Sequence, residues 1–166
     1  MILSQPVRKA SLVVHIVTSL GWLGAVAVFL VFAIAGLAST EEAVVSSAYV
    51  AMNLSGWYVI VPLCFASFAS GLVLALGTAW GLLRHYWVLL KFAMTIPSTL
   101  LLLMHLRPID RILAATASAP DQIRALKIQL VIEAIAALVV LIVATILSIY
   151  KPRGTTRFGP RQPRPT

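Results

Sequence analysis

The sequence predicts an all-α, polytopic membrane protein, a bundle of four transmembrane helices with both termini in the cytoplasm. The chain has 166 residues, of which 60% are hydrophobic and 11% are charged. Its apolar residues form four long runs that leave no length for a separate soluble domain. Strands of a membrane barrel alternate apolar and polar residues, whereas helices satisfy their own backbone hydrogen bonds in lipid. The unbroken runs therefore indicate helices.

The first predicted span covers about residues 11–37. It follows the basic pair Arg8-Lys9 and lies within the stretch Ala10–Thr40, which contains no Lys, Arg, Asp or Glu. The apolar region of a cleaved signal peptide is only about 7–15 residues long. Because this stretch is much longer, we interpret it as an uncleaved transmembrane helix.

A short helix and the second span are predicted next. Residues 39–42, two hydroxyl residues followed by two acids, are typical of a helix start, and Ser55-Gly56 predicts the end of that helix. The second span covers about residues 57–80. Trp57 and Trp80 lie at its two ends, where aromatic rings prefer the membrane interface.

The third and fourth spans cover about residues 86–106 and 128–150. The third has the length that crosses a hydrocarbon core of about 30 Å. Pro120 begins the helix that contains the fourth span. That helix has about 31 residues, or about 46 Å at 1.5 Å per residue, so we expect it to tilt or to project beyond the bilayer.

The charge of the chain fits a membrane protein. A net charge of +8 would suggest a nucleic-acid partner in a soluble protein, but the sequence contains no nucleic-acid-binding module, and we predict no such partner. Residues 151–166 hold five basic residues, four prolines and no acid. We expect this tail to be disordered and to contact anionic lipid.

The distribution of Lys and Arg predicts the orientation. With the N-terminus inside, the predicted cytoplasmic segments hold eight basic residues and the outer segments hold four. Cytoplasmic segments carry the excess of positive charge in membrane proteins. The count therefore places both termini in the cytoplasm. Cys64 is the single cysteine, so an intrachain disulfide is excluded.

Lys91 lies within the third span, near its Tyr86 end. An ionisable side chain inside a membrane indicates a functional site, although a lysine near a helix end can also extend its ammonium to the surface. Helical spacing places the polar and sulfur-containing residues of this span on one face. They are Trp87, Lys91, Met94, Thr95, Ser98 and His105.

His15 lies early in the first span, so the topology places it in the same leaflet as Lys91. It shares a helix face with Ser11, Thr18, Ser19 and Trp22. A neutral imidazole in an apolar pocket is a good ligand for haem iron, and Met, His or Lys can take the opposite axial position. The alternative is a packed histidine that bonds a serine or a backbone carbonyl.

A second polar cluster is predicted at the other membrane face. His105 ends the third span there, and Gln129 and Glu133 lie one turn apart in the fourth. His105 and Glu133 are candidates for a pair. An interfacial ion pair without a function is the alternative.

These spacings resemble a group of small four-helix membrane proteins that includes copper-resistance protein D and HemJ-type protoporphyrinogen oxidase. The resemblance covers about residues 8–150 and is nearest to an uncharacterised bacterial branch. It rests on sparse motifs, which are His15 with Trp22-Leu23-Gly24, Pro62 with Gly71, and Trp87 with Lys91. The resemblance implies a haem or porphyrin site at His15 and Lys91, or a role in copper uptake. Residues 25–29 stand where HemJ-type proteins have a tyrosine-proline-arginine segment, and Met-rich and His-rich segments are missing.

The resulting functional prediction is a haem b- or porphyrin-binding redox protein of the bacterial cytoplasmic (inner) membrane. The predicted cofactor-binding residues are His15, Lys91, Met94, Trp22 and Gly71. His15 is the metal ligand, Lys91 is the second ligand or faces a propionate, and Met94 is a further ligand candidate. Gly71 lets the macrocycle approach the second span. The alternative is a non-enzymatic membrane subunit or small transport component, possibly copper-related, with a homo-oligomeric or membrane-protein partner.

Overall fold

The computed structural model describes residues 3–77, 86–105 and 120–150, and nearly all of these residues are helical. The helices are α1 (Gln5–Ala38), α2 (Glu42–Ser55), α3 (Val61–Gly77), α4 (Tyr86–His105) and α5 (Pro120–Tyr150), with a π-helical segment, Gly56–Ile60, between α2 and α3. The predicted all-α class is confirmed for this part of the chain. The predicted loop at 81–85 and the tail at 151–166 lie outside it.

Three helical stretches are long and apolar enough to cross a membrane. They are Gln5–Ala38, Glu42–Gly77 and Asp121–Tyr150, and α4 contains a shorter apolar stretch, Val88–Leu101. Large apolar side chains are exposed along the outer faces of these helices. An exposed apolar surface of this extent is what lipid contact requires. The molecule therefore has the helices of a membrane protein, as the sequence predicts.

The predicted break at Ser55-Gly56 is wrong. The helix continues from Glu42 to Gly77, and Gly56 is buried within the described residues. A glycine costs a helix only about 1 kcal/mol relative to alanine, and packing of this segment against α1 outweighs that cost.

The π-helical turn accommodates Pro62. The N–H of Val61 donates to the carbonyl of Gly56, five residues earlier. Proline has no N–H, and in a regular α-helix its ring clashes with the carbonyl four residues before it. The wider turn directly ahead of Pro62 removes that conflict, and it is a known cause of helix bending.

The helices form a bundle in which α1 and α4 lie diagonally opposite. α1 packs against α2, α3 and α5, and α4 packs mainly against α5 and also touches α3. Within the described residues α1 and α4 do not pack against each other. The stretches Gln5–Ala38 and Glu42–Gly77 run antiparallel, because the N–H of Leu3, just before α1, donates to the carbonyl of Gly77 at the end of α3. α4 and α5 also run antiparallel, because Lys91 near the start of α4 bonds Ser148 near the end of α5.

The bundle has two unlike halves. The Lys91 half is the end at which α1 begins, α3 ends, α4 begins and α5 ends. The Tyr49 half is the opposite end, where α1 ends, α2 begins and α5 begins. The Tyr49 half holds most of the apolar core, and its most deeply buried side chains include Ala33, Tyr49, Met52 and Ile60.

Candidate functional site

His15 contacts α3 through its Nδ1 atom. Nδ1 lies 3.0 Å from the carbonyl oxygen of Ser67 and 3.1 Å from Oγ of Ser70. A carbonyl oxygen can only accept a hydrogen bond, so Nδ1 carries the proton and donates it to Ser67. In the neutral imidazole, Nε2 then keeps its lone pair. This contact fixes both the tautomer and the orientation of the ring.

Serine hydroxyls hold this part of the α1–α3 interface together. Ser70 donates to the carbonyl of Ala66 at 2.7 Å, and the hydroxyls of Ser19 and Ser67 lie 2.7 Å apart. Ser67 and Ser70 are buried. Small polar residues let two membrane helices approach closely and hydrogen-bond across their interface. The ring of His15 is therefore held by hydrogen bonds to buried polar groups of α3.

Gly71 provides the space for the imidazole. A Cβ atom on Gly71 would lie 3.0 Å from Cε1 of His15 and 3.4 Å from Nδ1, which is closer than ordinary van der Waals contact. From the sequence, Gly71 was expected to let a macrocycle approach α3. The structure places the imidazole of His15 itself on this glycine.

Lys91 joins α4 to α5. Its Nζ atom donates to Oγ of Ser148 at 2.6 Å, and that hydroxyl donates to the carbonyl of Ala144 at 2.8 Å. Lys91 is half-buried within the described part of the chain. The short bond to the neighbouring helix shows that the ammonium is tied to α5.

His15 and Lys91 lie at the same level of the bundle. The rings of Phe68 and Phe92 meet edge to face with centroids 5.3 Å apart, which aligns Lys91 with the part of α3 that binds His15. Since α1 and α4 are diagonal, the two side chains approach the interior from opposite sides, each with its own partner on a neighbouring helix.

Trp22 and Met94 lie one or two turns deeper. Trp22 is two turns beyond His15 on the same face of α1, is 7% exposed, and its Nε1 has no hydrogen-bond partner within the described residues. Met94 is half-buried, about one turn beyond Lys91. Both residues therefore belong to the interior of the bundle near His15 and Lys91.

The predicted cluster at the other face is described only in part. Nε2 of Gln129 donates to Oε1 of Glu133 at 2.8 Å on the exposed side of α5. The side chain of His105 lies outside the described part of the structure, so its pairing with Glu133 stays a prediction. The side chain of Trp87 also lies outside it.

Two partners of the site were not found from the sequence. They are Ser70, which contacts His15, and Ser148, which accepts a hydrogen bond from Lys91. Their depths could have been read from the predicted topology, because both lie in the leaflet assigned to His15. Which serine each side chain meets depends on the rotation of the helices.

Comparison of the chain with protein-family models, curated proteins and solved structures found no match. The chemistry of the site must therefore be argued from its own residues. Within the described residues, no three His, Cys, Asp or Glu side chains come together as a metal site. A metalloporphyrin does not need such a group, because its ring supplies four ligands and the protein supplies only one or two axial ligands.

The donor set fits a porphyrin metal. Histidines that bind metals almost always donate their other ring N–H to a carbonyl, a carboxylate or water, and His15 does so at Ser67. Haem iron accepts imidazole and thioether ligands, and Met94 is a thioether on the diagonal helix. A lysine can serve as a ligand or as a cation for a propionate.

Proposed function

We propose that the chain binds haem b, or a related porphyrin, in the interior of a membrane helix bundle with His15 as an axial ligand. The observation that carries the proposal is the bond from Nδ1 of His15 to the carbonyl of Ser67. It leaves Nε2 as the nitrogen that can bind a metal and holds the ring in one orientation. A bound haem would supply one-electron chemistry.

The residues around His15 have separate parts in this proposal. Ser67 and Ser70 orient the imidazole, and Gly71 accommodates it. Lys91 would be either the second ligand or the cation that faces a carboxylate of the porphyrin, and Met94 would be the other candidate for the second ligand. The apolar Tyr49 half keeps water from the far side of the site.

Absorption spectroscopy of the purified full-length protein tests this function. We expect a Soret band that shifts on reduction with dithionite and is lost in His15→Ala. Thr18→Ala is the matched control, because the Thr18 hydroxyl bonds only carbonyls of its own helix. A colourless protein after haem supplementation, or a His15→Ala protein with the full spectrum, would overturn the proposal.

The proposal includes four membrane crossings in a bacterial cytoplasmic membrane, with both termini in the cytoplasm. The excess of basic residues in the predicted cytoplasmic segments supports this orientation, and α4 has 20 residues, about the length of one crossing. The basic tail would then contact anionic lipid. Reporter fusions at each terminus test the orientation, and an external location of either terminus would contradict it.

A second candidate is a non-enzymatic membrane subunit or small transport component. The bonds of His15 to Ser67 and of Lys91 to Ser148 favour it, because they connect neighbouring helices and can serve packing alone. This candidate predicts a colourless protein, tolerance of Lys91→Met, and association with a membrane partner or a second copy. Copper bound by the solubilised protein would favour metal transport.

A further inference from the structure

Most of the hydroxyl groups in the interior of the bundle lie in the Lys91 half. Hydroxyl, imidazole and ammonium groups from all four long helices meet there. Examples of these groups are the side chains of His15, Ser70, Lys91, Thr95, Thr145 and Ser148. The interior of the Tyr49 half is lined mainly by apolar side chains. Polar side chains inside a membrane usually face a bundle interior or a water-filled cavity, so this asymmetry indicates that water enters from one end.

The two helices that carry His15 and Lys91 are separated from each other. α1 and α4 are diagonal and, across the described residues, do not pack against each other. His15 on α1 and Lys91 on α4 lie at about the same level, and both are half-buried. Thr145 lies one turn from Ser148 on the face of α5 that meets Lys91.

A layer of buried side chains closes the polar half at its deep end. Trp22, Cys64 and Leu141 are each at most 7% exposed. Cys64 contacts Thr99 at 3.2 Å, which brings α3 and α4 together at this level. Nε1 of Trp22 is a buried donor with no partner among the described residues. A buried N–H group normally donates a hydrogen bond to a water molecule or to a bound acceptor.

The charges of the described residues favour an anion in this half. Arg8, Lys9 and Lys91 lie in the Lys91 half or at its mouth, and no acid of the described residues lies there. The opposite half holds both signs: the acids Glu41, Glu42, Asp121 and Glu133, and the cations Arg124 and Lys127. A cleft lined by one sign of charge concentrates ions of the opposite sign.

We propose that the Lys91 half of the bundle is an aqueous crevice, open at the end where α1 begins and closed at Trp22, that admits small anions in preference to cations. The inference goes beyond the binding of a porphyrin and does not depend on it. In this proposal, small anions such as carboxylates enter the crevice through water and bind near Lys91.

Cysteine accessibility tests the crevice. The full chain with Cys64→Ala and Thr145→Cys is placed in lipid nanodiscs after expression in haem-deficient cells, so that no porphyrin occupies the bundle. The probes are sulfonatoethyl and trimethylammonioethyl methanethiosulfonate, which carry opposite charges. Their rates are normalised to their rates with a free thiol in solution.

Two control positions on the same helix isolate the effect of location. Ile146→Cys lies at the same depth but on the exposed, lipid-facing side, and Ala134→Cys is buried in the Tyr49 half. Thr145→Cys should react at least tenfold faster than either control. The anionic reagent should react about fivefold faster or more, as one nearby unit charge in a watery site implies, and Lys91→Gln should abolish that preference.

Ser70→Cys on α3 repeats the measurement in case Thr145→Cys does not fold. Rates at both positions as slow as at Ile146→Cys would overturn the crevice. Equal rates for the two reagents, or a preference that survives Lys91→Gln, would overturn the assignment to anions. Because the samples contain no porphyrin, these results are separate from the outcome of the Soret measurement.

Discussion

The ammonium of Lys127 lies 5.4 Å from the centre of the Tyr49 ring and donates a hydrogen bond to the carbonyl of Gly36 at 3.3 Å. α1 ends at Ala38, so the carbonyl of Gly36 belongs to the last turn, whose carbonyls lack partners within the helix. The side chain of Lys127 thereby gives a free carbonyl at the end of α1 a hydrogen-bond donor, and it also packs on an aromatic ring of α2. This contact connects α5 with α1 and α2 in the Tyr49 half.

Replacing Lys127 with Met should lower the stability of the folded protein. The change removes a cation–π contact and a donor to Gly36, which together contribute about 1–2 kcal/mol. Arg124→Met is the control, because Arg124 is exposed on the same helix. Thermal unfolding in detergent measures the difference, and equal midpoints for the two variants would contradict the role of Lys127.

Gly36→Ala should be more damaging than an ordinary glycine substitution. A Cβ at this position would lie 2.7 Å from Cε2 of the buried Tyr49 ring, so the helices must move apart at a cost of about 1–3 kcal/mol. Gly24→Ala is the matched control, since no atom lies within 4 Å of its added Cβ. That control should be neutral, or stabilising by up to about 1 kcal/mol. Similar midpoints for both variants would refute the close contact.

Tyr49→Phe should not destabilise the protein. The Tyr49 side chain is 1% exposed, and its hydroxyl has no hydrogen-bond partner in the described part of the chain. Removing a buried polar group that makes no bond relieves a desolvation cost of about 1–3 kcal/mol. An unchanged or raised unfolding midpoint is expected. A clear loss of stability would mean that the hydroxyl has a partner, such as a buried water.

Gly71→Ala should displace the imidazole of His15 without unfolding the bundle. The added Cβ would lie 3.0 Å from Cε1, so the ring must shift by a few tenths of an ångström, and we expect this shift to weaken its bond to Ser67. The nitrogen-15 spectrum of labelled histidine reports this change, as loss of the hydrogen-bonded Nδ1 signal. Gly24→Ala again serves as the control, and an unaltered spectrum in Gly71→Ala would argue against the observed packing.

Cys64 should resist water-soluble thiol reagents until the protein is denatured. Its side chain is 1% exposed, and Sγ lies 3.2 Å from Oγ1 of Thr99. Thr99→Val removes this bond but keeps the shape of the side chain, so we expect a loss of about 1 kcal/mol or less. Mass spectrometry after brief labelling checks the reactivity. Rapid modification of the folded protein would show that the layer at Trp22 is not closed.

The positions of the helices were largely predictable because they depend on local composition. Long apolar runs indicate where α1 and α5 lie, and Pro120 indicates where α5 begins. The continuity from Glu42 to Gly77 was not predictable in this way. Ser55-Gly56 has the composition of a break, and only packing against α1 and the wider turn before Pro62 keep the helix unbroken.

The sequence by itself determined the helical class of this protein, and the depths of its polar residues stay a prediction. Backbone groups in lipid must bond within helices, and the distance of a residue from the end of its span sets its depth. Only the tertiary structure decided the partners: Ser67 and Ser70 for His15, Ser148 for Lys91, and Gly36 for Lys127. The reason is that such contacts depend on which helices are neighbours and on how each helix is rotated about its axis. In helices that are apolar on nearly every face, the local sequence determines neither property.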